Sequence, residues 1–180
     1  DEDFESWIQN NEIDINGTDL YKWTALHKLA AWNKAECLKK LLAHPNLRCF
    51  APAGQGGDSP LHAALDMNAS KCIELLLQSP GCSALVNMQN DGGNSPLHSA
   101  VMTGNVSCIK RLLESKANPS IRRREDKLSP WNLAKSLPEP YKSEICPLLW
   151  SHIQKTADAN MESLIPNESS TEPSQSNLPG

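Results

Sequence analysis

The tetrapeptides Thr24-Ala25-Leu26-His27, Ser59-Pro60-Leu61-His62 and Ser95-Pro96-Leu97-His98 recur at intervals of 35 and 36 residues, and a weaker copy, Ser129-Pro130-Trp131-Asn132, follows 34 residues later. Thirteen residues after each of the three strong anchors stands a cysteine (Cys37, Cys72, Cys108), and a leucine pair comes next: Leu41-Leu42, Leu76-Leu77 and Leu112-Leu113. Self-similarity at such a period severely limits the fold. A single unit of this size cannot bury its own apolar face, so like units must stack into a solenoid.

The residues within each unit name its parts. Thr or Ser caps a helix N-terminus, Pro fits the first helical position because that N–H has no intrahelical partner, and Leu-His-x-Ala begins a short inner helix. Asn33, Asn68 and Gly104 mark the following turn, since Asn and Gly best tolerate a left-handed backbone. A second helix carries the cysteine and the leucine pair at helical spacing, as in Cys72-Ile73-Glu74-Leu75-Leu76-Leu77. Gly54-Gln55-Gly56-Gly57 and Asp91-Gly92-Gly93 have the turn chemistry of a finger projecting from the stack.

The tract from about Asp14 to Trp150 thus resembles the ankyrin-repeat family, whose signature is Thr-Pro-Leu-His-x-Ala. The resemblance implies an all-α solenoid of stacked helix-turn-helix units with projecting finger loops. Asp14-Ile15-Asn16 looks like the end of a preceding half-repeat whose second helix is Phe4 to Asn10, so the chain begins in mid-repeat and, lacking an initial Met, reads as a fragment or processed product. The period exceeds the family's ~33 residues, which predicts enlarged loops after the second helices. In the fourth copy Pro138 and Pro140 cut the inner helix short, and Ile145, Leu148, Leu149 and Trp150 supply a closing amphipathic helix, as suits a terminal cap.

The chain of 180 residues has a net charge of −4, and the stretch 156–180 holds Asp158, Glu162, Glu168 and Glu172 with no Lys or Arg. A neutral body lacks the basic surface that direct nucleic-acid binding needs. Two segments follow: a repeat domain at 1–155 and, at 156–180, a disordered tail rich in Pro, Glu, Ser and Thr, too poor in aliphatic residues to fold and similar to the PEST-type segments after some ankyrin domains. No apolar run approaches the ~18 residues of a membrane span, and the acidic N-terminus is unlike a signal peptide. Cytoplasmic or nuclear localisation is the expectation.

Zinc needs its ligands about 2 Å from one ion, whereas His27, His62 and His98 stand one helix-packing distance apart, ~10 Å. They read as structural residues that bond the backbone of the next finger, and no metal or cofactor is expected. The same spacing keeps Cys37, Cys72 and Cys108 from pairing, as core thiols. Cys49 and Cys82, in loops, are expected to be the exposed or reactive ones. Sequons at Asn16, Asn68, Asn105 and Asn167 read as chance matches in a chain without a secretory signal. No Ser-His-Asp set, phosphate loop or paired carboxylates can be assigned, so the chain is not expected to be an enzyme.

The ankyrin resemblance implies protein binding through finger tips and exposed inner-helix ends on the concave face. Mapped onto this chain, these are Leu20, Tyr21, Trp23, Ala31 and Trp32 in the first repeat, Gln55, Asp58, Asp66 and Met67 in the second, and Asp91, Asn94, Met102 and Thr103 in the third. Arg122, Arg123, Arg124, Glu125, Asp126 and Leu128 form the last finger, which suits an acidic patch. Exposed Trp and Met mark hot spots, whereas packing of Trp23 and Trp32 on the preceding half-repeat is the alternative. The expectation is an adaptor or inhibitor, monomeric alone, and a short stack followed by an acidic tail is similar to the NF-κB-inhibitor group. The alternatives are a targeting module of a larger enzyme, such as a ubiquitin ligase or kinase subunit, and a structural role in self-association.

Overall fold

Every anchor becomes a helix start. In a computed structural model of the protein, which describes Ser6, residues 14–49 and residues 56–162, with side chains to residue 157, Thr24, Ser59, Ser95 and Ser129 are the N-cap residues of the inner helices α1 (Ala25–Ala31), α3 (Pro60–Asp66), α5 (Pro96–Met102) and α7 (Pro130–Lys135). Pro60, Pro96 and Pro130 each open their helix, where a missing N–H costs nothing. Asn33, Asn68 and Gly104 turn the chain with φ of 55°, 55° and 66°. The outer helices α2 (Ala35–Leu42), α4 (Ser70–Gln78) and α6 (Val106–Glu114) then return antiparallel, and α8 (Tyr141–Glu162) closes the stack.

Like helices stack on like. Inner helix α3 packs between α1 and α5, α5 also meets α7, and outer helix α4 lies between α2 and α6, with α8 against both α6 and α7. The buried strip repeats accordingly: Leu26, Leu61 and Leu97 from the inner helices, Leu41, Leu76 and Leu112 from the outer ones, and Ile145 and Leu149 from the closing helix. The fingers join through their backbones, Asp91 N–H donating to Gly56 O at 2.8 Å and Arg124 N–H to Gly92 O at 3.1 Å. Gly93 is required here, since at φ 80° any Cβ would sit 2.5 Å from the Arg124 nitrogen.

Two expectations change and one gains detail. Cys49 and Cys82 are not exposed thiols: both are buried and they form a disulfide, with Cα atoms 5.4 Å apart. Helix axes cannot approach closer than their side chains allow, about 8–10 Å, but the thinner loops after α2 and α4 can, and Gly81 lies against the Cys49 sulfur. Cys37, Cys72, Cys108 and Cys146 are free, Cys37 being half-buried. Second, the enlarged loop after α4 is ordered as a 3-10 helix, Pro80–Asn87, that buries Cys82, Leu85 and Val86. Third, α8 continues past Thr156 to Glu162, because Ala157, Ala159, Met161 and Glu162 are good helix formers and Thr156 Oγ1 donates back to His152 O at 3.1 Å. The expected helix Phe4 to Asn10 lies outside the described residues apart from Ser6, as does the tail beyond Glu162.

Candidate binding surface

The first finger is a tight hairpin built on one carboxylate. Asp19 Oδ1 accepts the N–H groups of Tyr21 (2.8 Å) and Trp23 (2.9 Å), its backbone N–H donates to Trp23 O, and a bridge joins Thr18 to Thr24. Its other oxygen takes Lys28 Nζ at 2.8 Å, from α1. The lysine first, then the N–H of Trp23, holds the Asp19 carboxyl below its ordinary range. Locking Asp19 in this way sets Tyr21 and Trp23 opposite Trp32, at the end of α1, and the five side chains line an open cleft of about 500 Å³. Asp19 and Lys28 were not expected at the site; the only sequence signal is an Asp two and four residues before the amides it accepts, an Asx pattern common to many turns.

Along the stack from this cleft the inner-helix ends repeat one feature. Trp32, Met67 and Met102 cap α1, α3 or end α5, and are 64 %, 64 % and 59 % exposed, while Leu20 at the first finger tip is 99 % exposed. Trp23 is half-buried, its ring centroid 6.0 Å from that of His27. Ala31, expected among the exposed residues, is buried, since it faces the stack one position before the helix end. Tyr141 of α8 lies over the turn at Gly104.

The polar members divide. Asp66, Asp91, Thr103, Arg122 and Arg124 are exposed. Asp58 and Asn94 are half-buried and serve the fingers: Asp58 Oδ1 accepts Asn90 Nδ2 at 2.8 Å, and Asn94 N–H donates to Asn90 Oδ1 at 2.9 Å. Arg123 is neutralised within its own finger, Nε donating to Asp126 Oδ1 at 3.0 Å. Gln55 lies outside the described residues. The structure therefore brings Tyr21, Trp23 and Trp32 together, and leaves Arg122 and Arg124 at the far end.

Beneath this surface runs a ladder of imidazoles. His27, His62 and His98 bond through Nδ1 to the hydroxyls of Thr24, Ser59 and Ser95, at 2.7, 2.7 and 2.9 Å. The N–H groups of Ser59 and Ser95 also point at Nδ1 of His62 and His98, so the ring proton is on Nε2. From there it is donated to the next finger: His27 to Asp58 O (3.1 Å), His62 to Asn94 O (2.9 Å), His98 to Leu128 O (3.1 Å). Burial is the main cause that lowers all three below the ordinary histidine value, His27 to about 4, against a partly offsetting bond to the finger carbonyl.

With both ring nitrogens engaged, none of these histidines is offered to a metal, and among the described residues no group of three or more His, Cys, Asp or Glu side chains could hold one. Adding a chelator is expected to leave the helical signal and thermal midpoint unchanged; a clear loss of helicity would show that an ion had been overlooked. Three of the sequon asparagines are engaged too, Asn16 Nδ2 donating to Asn46 O at 2.9 Å and Asn105 Nδ2 to Asn68 Oδ1, while Asn167 lies outside the described residues.

A family model described as ankyrin repeats matches the chain in three copies, over residues 2–88 and 57–123. No curated protein matches the chain.

Proposed function

Because the chain belongs to the ankyrin-repeat family, whose members are generally protein–protein interaction modules and typically not enzymes, we propose that it holds a protein partner against its concave face, as an adaptor or inhibitor. The observation that carries this reading is the apolar row Trp32, Met67, Met102, ending at the aromatic cleft. Side chains of this size gain nothing by facing water three repeats running, and Trp is the residue most enriched at binding hot spots. Arg122 and Arg124, free of the ion pair that occupies Arg123, offer positive charge to an acidic part of the partner. No helix among the described residues is long and apolar enough to cross a membrane.

Trp32→Ala tests the proposal. Binding is expected to weaken by about 2 kcal/mol, some thirtyfold. Stability should barely change, since an exposed side chain is removed, whereas a buried Trp would cost about 3–5 kcal/mol. Affinity and thermal unfolding measured on the same variant decide: a lowered midpoint with unchanged affinity would return Trp32 to a packing role.

A further inference from the structure

Charge on this surface is unevenly arranged, and the arrangement bears on what the partner presents. At the cleft, the one anion is already matched, because Asp19 is held by Lys28 and by two backbone N–H groups. Its walls are the rings of Tyr21, Trp23 and Trp32, so an apolar side chain suits it better than a charged one. One repeat along, the balance changes. Asp58 and Asp66 both belong to the second repeat, and among the described residues neither is paired with a lysine or arginine. Although Asp66 is exposed, neighbouring atoms shield its carboxyl from part of its water and raise it above its ordinary range, while a hydrogen bond with Ser99 opposes this, the Asp58 charge adds to the rise and His62 opposes it. His62, whose imidazole lies in the same repeat, has both ring nitrogens engaged by the ladder. Met67 follows Asp66 at the end of α3 and, like Met102 further on, is mostly exposed.

We infer that the segment seated here is both apolar and basic: one bulky apolar side chain enters the Tyr21–Trp23–Trp32 cleft and, about one repeat further (~10 Å), an arginine or lysine meets the carboxylates of Asp58 and Asp66 beside Met67. This rests on the partner-binding reading above and adds the partner's chemistry to it. Charge complementarity decides between occupants. A segment carrying Asp or Glu at that point would meet two carboxylates that no cation neutralises, and a purely apolar one would cover them with only the Asn90 amide and Ser99 as partners. The methionines suit the aliphatic stem of either base, being unbranched and adaptable.

The test uses the full chain, immobilised, and a phage-displayed library of random twelve-residue peptides. Enriched peptides are expected to combine Arg or Lys with an aromatic or large aliphatic residue. A synthetic copy of the best, titrated by tryptophan fluorescence, should bind about tenfold more weakly to Asp66→Asn and to Asp58→Asn, a loss of about 1.4 kcal/mol, and more weakly in high salt. Asp58→Asn retains the carbonyl that His27 uses, and thermal unfolding of both variants shows whether they stay folded. Enriched peptides that are acidic or uncharged, or that bind both variants as well as wild type, overturn the inference while leaving partner binding intact. No enrichment at all sinks the partner-binding reading itself. Concentration-dependent dimers in sedimentation, abolished by Trp32→Ala, would instead make a second copy the occupant and also overturn it.

Discussion

Lowering the pH from 7 to about 4 is expected to strip several kcal/mol from the stability of the fold. In the unfolded chain a histidine titrates near 6.5, whereas burial of His27 lowers its value in the fold to about 4. Between these two values the unfolded state binds the additional proton, so stability rises with pH there. The contribution is complete above about 6.5 and lost progressively as the pH falls to about 4, and for His27 alone it amounts to about 3 kcal/mol. His62 and His98 are lowered for the same reason and act in the same direction. Protonation at Nδ1 would also set a donor against the Ser59 and Ser95 N–H groups that now point at it. Asp19, Asp126 and Glu139, all held below their ordinary values, act at still lower pH. Urea titrations at pH 7, 5.5 and 4 read the effect directly, and a midpoint unchanged across that range would mean that the fold does not keep its histidines neutral.

Removing the Cys49–Cys82 bridge should cost a comparable amount. The cysteines lie 33 residues apart in sequence, and closing a loop of that length removes about 3–4 kcal/mol of chain entropy from the unfolded state on the simplest account. Set against a typical stability of about 5–15 kcal/mol, this is a large fraction. Reductant is therefore expected to lower the denaturation midpoint of the wild type to that of the Cys49→Ser, Cys82→Ser double variant, and to leave the variant where it is. Thiol titration of the denatured protein provides the second reading: four reactive thiols before reduction, from Cys37, Cys72, Cys108 and Cys146, and six after. Six thiols at the outset, with no effect of reductant, would rule out the bridge.

Most of the architecture was legible because local chemistry and long-range order coincide at the anchors. Ser59, Pro60 and His62 act within four residues of one another, and the period alone says that His62 meets the next unit. What escaped the sequence depends on how closely non-repeating segments approach. Nothing in the residues around Cys49 and Cys82 states that two loops come within 5.4 Å, while the regular helices beside them hold their cysteines apart. The end of α8 was obscured differently: composition taken over the whole of 156–180 averages a helix-forming start with a Pro-, Ser- and Glu-rich remainder. At the surface, Trp32 and Met67 followed from register, but the cleft depends on Asp19 and Lys28, whose ion pair crosses from finger to helix and leaves no periodic trace.

The imidazole ladder has one direction. Each rung reaches forward, from the cap of one unit to the carbonyl of the next, and where the fourth anchor has Asn132 in place of histidine no further rung is built. Each rung thus uses one kind of bond, a ring N–H meeting a backbone carbonyl, whatever lies on the outward face. The intervals between anchors already differ, at 35, 36 and 34 residues, and each rung still finds its carbonyl, so differences in length are taken up by the loops that lead into the fingers. The chemistry of such a surface can therefore be rewritten side chain by side chain without disturbing the seams.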